Sequence, residues 1–179
     1  MTRGPGWRFM DMGRRLERAL HTLTLLRRTL VRTPAEVTPL LEALLEIADS
    51  SMTYRYRYLT SLQLAPVLDL LLIDETNPRS VGFQLSVLAE HVRQLPLHPH
   101  DRQRNEELRI TTATRATLRI ADVEGLAELA ERGVRPRLDA FLEQLTLQLW
   151  QLSSSISHTY FTHTGPSRQL GSPAADSGT

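Results

Sequence analysis

The sequence predicts an all-α fold, an antiparallel bundle of five to seven helices. Three observations carry that expectation. Phe9, Leu16, Leu23 and Leu30 recur at seven-residue steps, with Met12, Ala19 and Leu26 at the complementary positions. Such an a/d seam is the mark of a helix packed lengthwise against others. Leu138, Leu142, Leu145, Leu149, Leu152, Ile156 and Tyr160 then follow at steps of three and four and draw a second apolar stripe. Finally, valine, isoleucine and aromatic residues are few and no alternating run persists, so nothing reads as a strand.

The elements follow in order. Gly4-Pro5-Gly6 breaks any earlier helix, and the first helix runs from there to Thr33-Pro34. Thr33 and Pro34 open the next, as N-cap and first helical residue. This second helix carries Leu40, Leu41, Leu44, Leu45 and Ile47 and continues its pattern through Met52, Tyr54 and Tyr58. Pro66 kinks or splits what comes after, and Leu68 to Ile73 is a buried apolar turn or two. Asn77 is expected to cap a helix whose first residue is Pro78 and whose buried face is Val81, Leu85, Leu88 and Val92. Leu97-His98-Pro99-His100 links it to a long helix capped by Asp101 and interrupted near Asp122 or Gly125. Gly133 to Pro136 breaks the chain before the last helix. Residues 1–163 thus form one helical domain, and 164–179, rich in Gly, Ser, Pro and Ala, a disordered tail.

Composition excludes several functions. The chain of 179 residues suits one domain. It has 32 leucines, 21 arginines, no lysine and no cysteine. A thiolate nucleophile, a disulfide framework and a Cys-based zinc site are therefore ruled out. A formal net charge of +1 is not that of a general nucleic-acid binder. The longest apolar run is broken by Pro66 and Asp69, so no membrane span is expected, and the cytoplasm is the expected compartment. No phosphate-binding glycine loop, G-x-S-x-G elbow or H-E-x-x-H pair occurs, and the histidines lack convergent partners, so neither a metal nor a cofactor is expected.

Three polar groupings remain. Arg14, Glu17, Arg18 and His21 share one side of the first helix, away from the apolar seam. Two guanidiniums there could hold an anion, and ordinary solvated ion pairs would look the same. The stretch from Asp49 to Tyr58 crowds hydrogen-bonding groups around Tyr54, Arg55, Arg57 and Tyr58. If it is helical, Asp49, Thr53 and Arg57 form a polar row. Such a set suits phosphate or carboxylate recognition, or a polar network that fixes helix packing. Asn77 and Arg79 mark a helix start beside an arginine, which is an anion site or a plain cap. Arg109, Arg115, Arg119 and Asp122 read as a solvated face or inter-helix pairs.

Residues Gly6 to Ala19 (GWRFMDMGRRLERA) resemble the alpha-E domain family, a bacterial all-helical domain of unknown function named for a Glu-Arg motif, here Glu17-Arg18. The resemblance continues through Leu45 to Arg55, Tyr58-Leu59, Asp74, Asn77 to Val81, Leu152-Ser153 and Tyr160-Phe161. It implies a partner more than an activity: a circularly permuted ATP-grasp protein, often with a transglutaminase-like cysteine peptidase, in a peptide-ligation or peptide-modification system. The helical member has no assigned catalysis. Family members are commonly longer, with an earlier half bearing its own Glu-Arg helix. The resemblance therefore implies that this chain holds only the later half, with apolar surface uncovered on the Phe9/Leu16 or Leu138/Leu149 seams. Three functions are in view. One is a non-catalytic scaffold that binds a partner, a peptide or a nucleotide phosphate. Another is an enzyme of peptide or amide chemistry with Glu17 as general base and Arg18 or Arg55 stabilising charge. The third is a purely structural domain.

Overall fold

The structure is a computed structural model that describes residues 4–32, 37–59, 61–95 and 104–161. Among these residues it is all-helical, with isolated bridges from Val134 to Arg32 and Ala130 as the sole strand-like pairings. The described residues hold eight α-helices: α1 (Pro5–Leu30), α2 (Thr38–Ile47), α3 (Ser51–Tyr58), α4 (Leu64–Leu68), α5 (Val81–Arg93), α6 (Arg104–Arg119), α7 (Val123–Ala127) and α8 (Pro136–Phe161). The count exceeds the expected five to seven because short pieces, α3, α4 and α7, separate where longer helices were anticipated. Thr33, Pro34, the 97–100 linker, Asp101 and the 164–179 tail lie outside the described residues.

The long helices α1, α5, α6 and α8 pack as a ring in which each touches two neighbours. Their side-chain pairings fix the directions. Arg8 near the start of α1 bonds Gln94 just past the end of α5, and Phe9 meets Tyr160 at the end of α8. Glu75, in the loop just ahead of α5, pairs with Arg119 at the end of α6, while Ser155 late in α8 bonds Glu107 early in α6. Every adjacent pair is therefore antiparallel. The two stripes read from the sequence face one another inside this ring: Leu23, Leu26, Leu30, Leu138, Leu142, Leu145 and Leu149 are fully buried. The expectation of uncovered seams is thereby corrected. Leu16, Leu138 and Leu149 are buried, and Phe9 is covered by Tyr160 and Phe161, because α1 and α8 supply each other's missing surface.

Three local departures from the sequence reading shape the end of the bundle where the polar residues gather. The helix begun at Thr38 does not run on to Tyr58. Asp49 adopts the left-handed region at φ 48°, the Ser50 amide donates to Leu45 O at 2.8 Å, and the Asp49 amide donates to Glu46 O. This double closure terminates α2 with an aspartate where glycine is usual. Asp49, Thr53 and Arg57 consequently form no continuous row.

After α4, residues Asp69–Ile73 form a π-helical turn, closed by the Asp74 amide donating to Asp69 O at 3.0 Å. Leu70, Leu71 and Leu72 are buried there.

The third departure is at α5. Asn77 is not its N-cap and Pro78 is not its first residue. Ser80 caps the helix by accepting from the Phe83 amide at 2.9 Å. Asn77 instead spends its side chain in the interior: Nδ2 donates to Leu70 O and Ser50 Oγ, and Oδ1 accepts from the Arg79 amide. The Asn77 oxygen is directed to its own local turn, and the helix start is left to Ser80.

Candidate functional site

The turn between α2 and α3 stands at the centre of the polar region. Asp49, held out from the helix by its left-handed backbone, accepts from Arg79 Nη2 at 2.5 Å. Two open clefts are lined by this aspartate. One, of about 410 Å³, lies between α1, the α2–α3 turn and the 78–84 segment, and is edged by Arg18, His21, Asp49 and Arg79 over Leu25, Leu26 and Leu71. The other, of about 580 Å³, is edged by Glu42, Glu46, Asp49 and Arg55 over Leu45, Tyr54 and Leu62. Arg18 and Arg55 side chains are exposed and make no hydrogen bond or ion pair among the described residues.

Beneath these clefts is a hydrogen-bonded frame. Tyr54 is buried, donates to Ser61 O, accepts from the Gln63 amide at 3.1 Å, and stacks on Tyr58 at 5.0 Å. Tyr58 donates to Asp69 Oδ2 at 2.5 Å. Burial and the bond to the Asp69 carboxylate both hold the phenol well above its ordinary range, so Tyr58 is a neutral donor throughout the physiological range. Arg57 pairs with the buried Asp74. That carboxylate also accepts from the Thr76 amide at 2.8 Å and the Thr76 hydroxyl at 2.6 Å, and the Ser80 hydroxyl donates to the Asp74 carbonyl. A buried aspartate with three donors on its carboxylate organises a loop and is not presented to either cleft.

The ten sequence candidates thus separate. Arg18, Asp49 and Arg79 meet at one cleft; Asp49, Tyr54 and Arg55 meet at the second. Arg57, Tyr58 and Asn77 belong to the supporting frame. Arg14 and Glu17 are exposed on α1 and line neither cleft.

Sequence reasoning missed the acidic edge, Glu42 and Glu46, whose i, i+4 spacing on α2 was the available signal. It also missed a largely buried network between α1 and α5. There His91 Nε2 lies 2.8 Å from Asp11 Oδ2, Arg15 donates to both Asp11 and Gln84, and Gln84 donates to Pro78 O at 2.6 Å. Burial alone would raise the Asp11 pKa, but the His91 and Arg15 hydrogen bonds outweigh it and hold the carboxyl below its ordinary value. This network anchors the turn that carries Arg79 to α1, which carries Arg18.

Glu75 is the other strongly held carboxylate. The Arg119 hydrogen bond at 2.5 Å, with help from Ser86 and Arg115, keeps its pKa down to about 2. Among the described residues no group of three or more His, Asp or Glu could hold a metal ion. No helix among them is long and apolar enough to cross a membrane.

A family model described as a predicted alpha-helical domain with a conserved ER motif, Alpha-E, matches residues 1–161. The chain belongs to the Alpha-E family. Because the match runs from residue 1 through 161, the expectation that the chain holds only the later half of such a domain is not borne out. Uncharacterized proteins of Mycobacterium bovis and of two Mycobacterium tuberculosis strains are each 33% identical to this Alpha-E chain over 175 residues, 97% of its length. The Alpha-E chain spans about a fifth of the length of these curated relatives, 20% in each. No solved structure matches it.

Proposed function

We propose that this Alpha-E domain is a non-catalytic, cytoplasmic binding module that receives an anionic group, carboxylate or phosphate, in the Arg18–Arg79 cleft and works beside an ATP-grasp ligase in peptide ligation or modification. The observation that carries the binding reading is that Arg18 on α1 and Arg79 in the 78–80 turn reach one open cleft with an apolar floor. Arg79 is already engaged by Asp49, which leaves the Arg18 guanidinium fork with donors to offer a planar oxyanion. The Glu-Arg motif, taken as Glu17-Arg18, then contributes through its arginine. Glu17 lines neither cleft, and a general base must reach the proton it removes, so the enzymatic reading draws no support from the geometry. The ATP-grasp partner rests on the family resemblance.

The test is co-purification of this chain with a circularly permuted ATP-grasp protein from the same organism, comparing wild type with Arg18→Ala, Arg79→Ala and Glu17→Gln. The arginine variants are expected to lose partner retention with melting temperatures near wild type, and Glu17→Gln to keep it. Equal retention by all of them at equal stability would overturn the assignment of that role to the cleft.

A further inference from the structure

We propose that the paired clefts take a short dipolar ligand, with a carboxylate toward Arg18 and Arg79 and a cationic nitrogen toward Glu42 and Glu46, the chemistry of a small peptide with a basic group and a free C-terminus. The inference rests on the reading of the Arg18–Arg79 cleft as an anion site and goes on to name what else the ligand must carry.

The two clefts are of opposite sign. Arg18 and Arg79, with His21 beside them, edge one; Glu42 and Glu46 edge the other, where Arg55 is the sole cationic side chain of the lining. Asp49 lines both, and its carboxylate is engaged by Arg79. Glu42 and Glu46 stand one turn apart on α2, exposed, with no hydrogen bond or ion pair among the described residues. Like charges at that spacing repel and weaken a helix. A cationic group seated between them removes the repulsion and gains two charge-assisted hydrogen bonds. A nucleotide phosphate would satisfy Arg18 but place further negative charge toward this acidic edge.

Asp49 is shared by the two linings. Their apolar floors, Leu45, Leu62 and the buried Tyr54 in one and Leu25, Leu26 and Leu71 in the other, could seat the uncharged parts of such a ligand without stranding a polar group.

Calorimetric titration of the full chain with acetyl-Lys-Gly-Gly tests this, against the C-terminal amide of the same peptide and against its norleucine analogue. Loss of either ligand charge is expected to weaken binding about tenfold or more. Arg18→Ala is expected to erase the difference between acid and amide, and Glu46→Gln the difference between lysine and norleucine, each leaving the other difference intact. If acid is preferred to amide through Arg18 while norleucine binds as well as lysine, the anion site stands and the dipolar ligand is refuted. Tighter binding of inorganic phosphate or ATP than of the tripeptide has the same meaning. If neither the tripeptides nor phosphate bind at millimolar concentration, both readings fall together.

Discussion

Replacing Gly82 with alanine should destabilise the domain, although it exchanges a poor helix former for the best one. Gly82 is the second residue of α5, buried where that helix begins against the end of the π-helical turn. A Cβ there would sit inside the van der Waals shell of the Ile73 carbonyl oxygen and 3.1 Å from that of Leu72. Both obstacles are backbone, so no rotamer change relieves them. The helix gains up to about 1 kcal/mol from Gly→Ala. Forcing an atom into a packed contact costs about 1–3 kcal/mol, and more where backbone has to move. The net expectation is a loss of about 1–2 kcal/mol, or about 2–8 °C in melting temperature for a chain of this length. Gly13 is the internal control, since it lies inside α1 with nothing within 4 Å of a built Cβ. Gly13→Ala should gain up to about 1 kcal/mol. Urea unfolding followed by far-ultraviolet circular dichroism measures both. Equal stability of the two variants, or a Gly82→Ala protein more stable than wild type, would refute the claim that close approach, not helix propensity, governs this position.

Two further outcomes are expected. Glu75 has its pKa held down to about 2 from 4.5, so its stabilising effect is fully present above pH 4.5 and disappears as the pH falls toward 2. Glu75→Gln should therefore cost about 1–2 kcal/mol at neutral pH, discounted because Arg119 is half exposed, and nothing near pH 2; chemical denaturation across that range reads the gap, and a pH-independent gap would disprove the ionic cause. The buried Arg135 donates to Leu30 O at 2.9 Å and Ala127 O at 3.0 Å, serving the carboxyl ends of α1 and α7 together. Arg135→Met should lose about 3 kcal/mol, and Arg135→Lys should recover only part, since one ammonium does not reproduce the fork; thermal melts equal to wild type would rule out this capping role.

The bundle was legible because its four long helices are amphipathic over many turns, and burial of a stripe such as Leu138 to Ile156 outweighs any local ambiguity. What escaped the sequence lies where side chains, not periodicity, decide the backbone. Asp49 ends α2 in a conformation that glycine usually supplies, which no pattern of apolar residues announces. Asn77 and Ser80 are both good N-caps, and the choice between them depended on a tertiary fact, the burial of Asn77 against Leu70 and Ser50. The residues of the candidate site were visible as residue types, but their grouping was not. Arg18, Asp49 and Arg79 stand far apart along the chain and come together only through the α1–α5 network and the α2 terminus. Arg57 and Tyr58, which the sequence groups with the ligand candidates, are instead tied to Asp74 and Asp69, carboxylates whose depth cannot be read from hydropathy.

Those two carboxylates give the π-helical turn a meaning measured in residue number. Arg57 and Tyr58 are consecutive at the end of α3, yet they grip positions 74 and 69, one turn of the wide helix apart. An i→i+5 closure sets such positions nearly above one another, whereas an ordinary α-helix would swing them about 140° apart. The chain between Asp69 and Asp74 is thus a ruler. With one residue fewer, every remaining side chain could keep its chemistry, and α3 would still be held by only one of its two anchors. The wall that presents Tyr54 and Arg55 is positioned by how many residues lie in that turn, so an insertion or deletion there would reach the clefts without altering any residue that lines them.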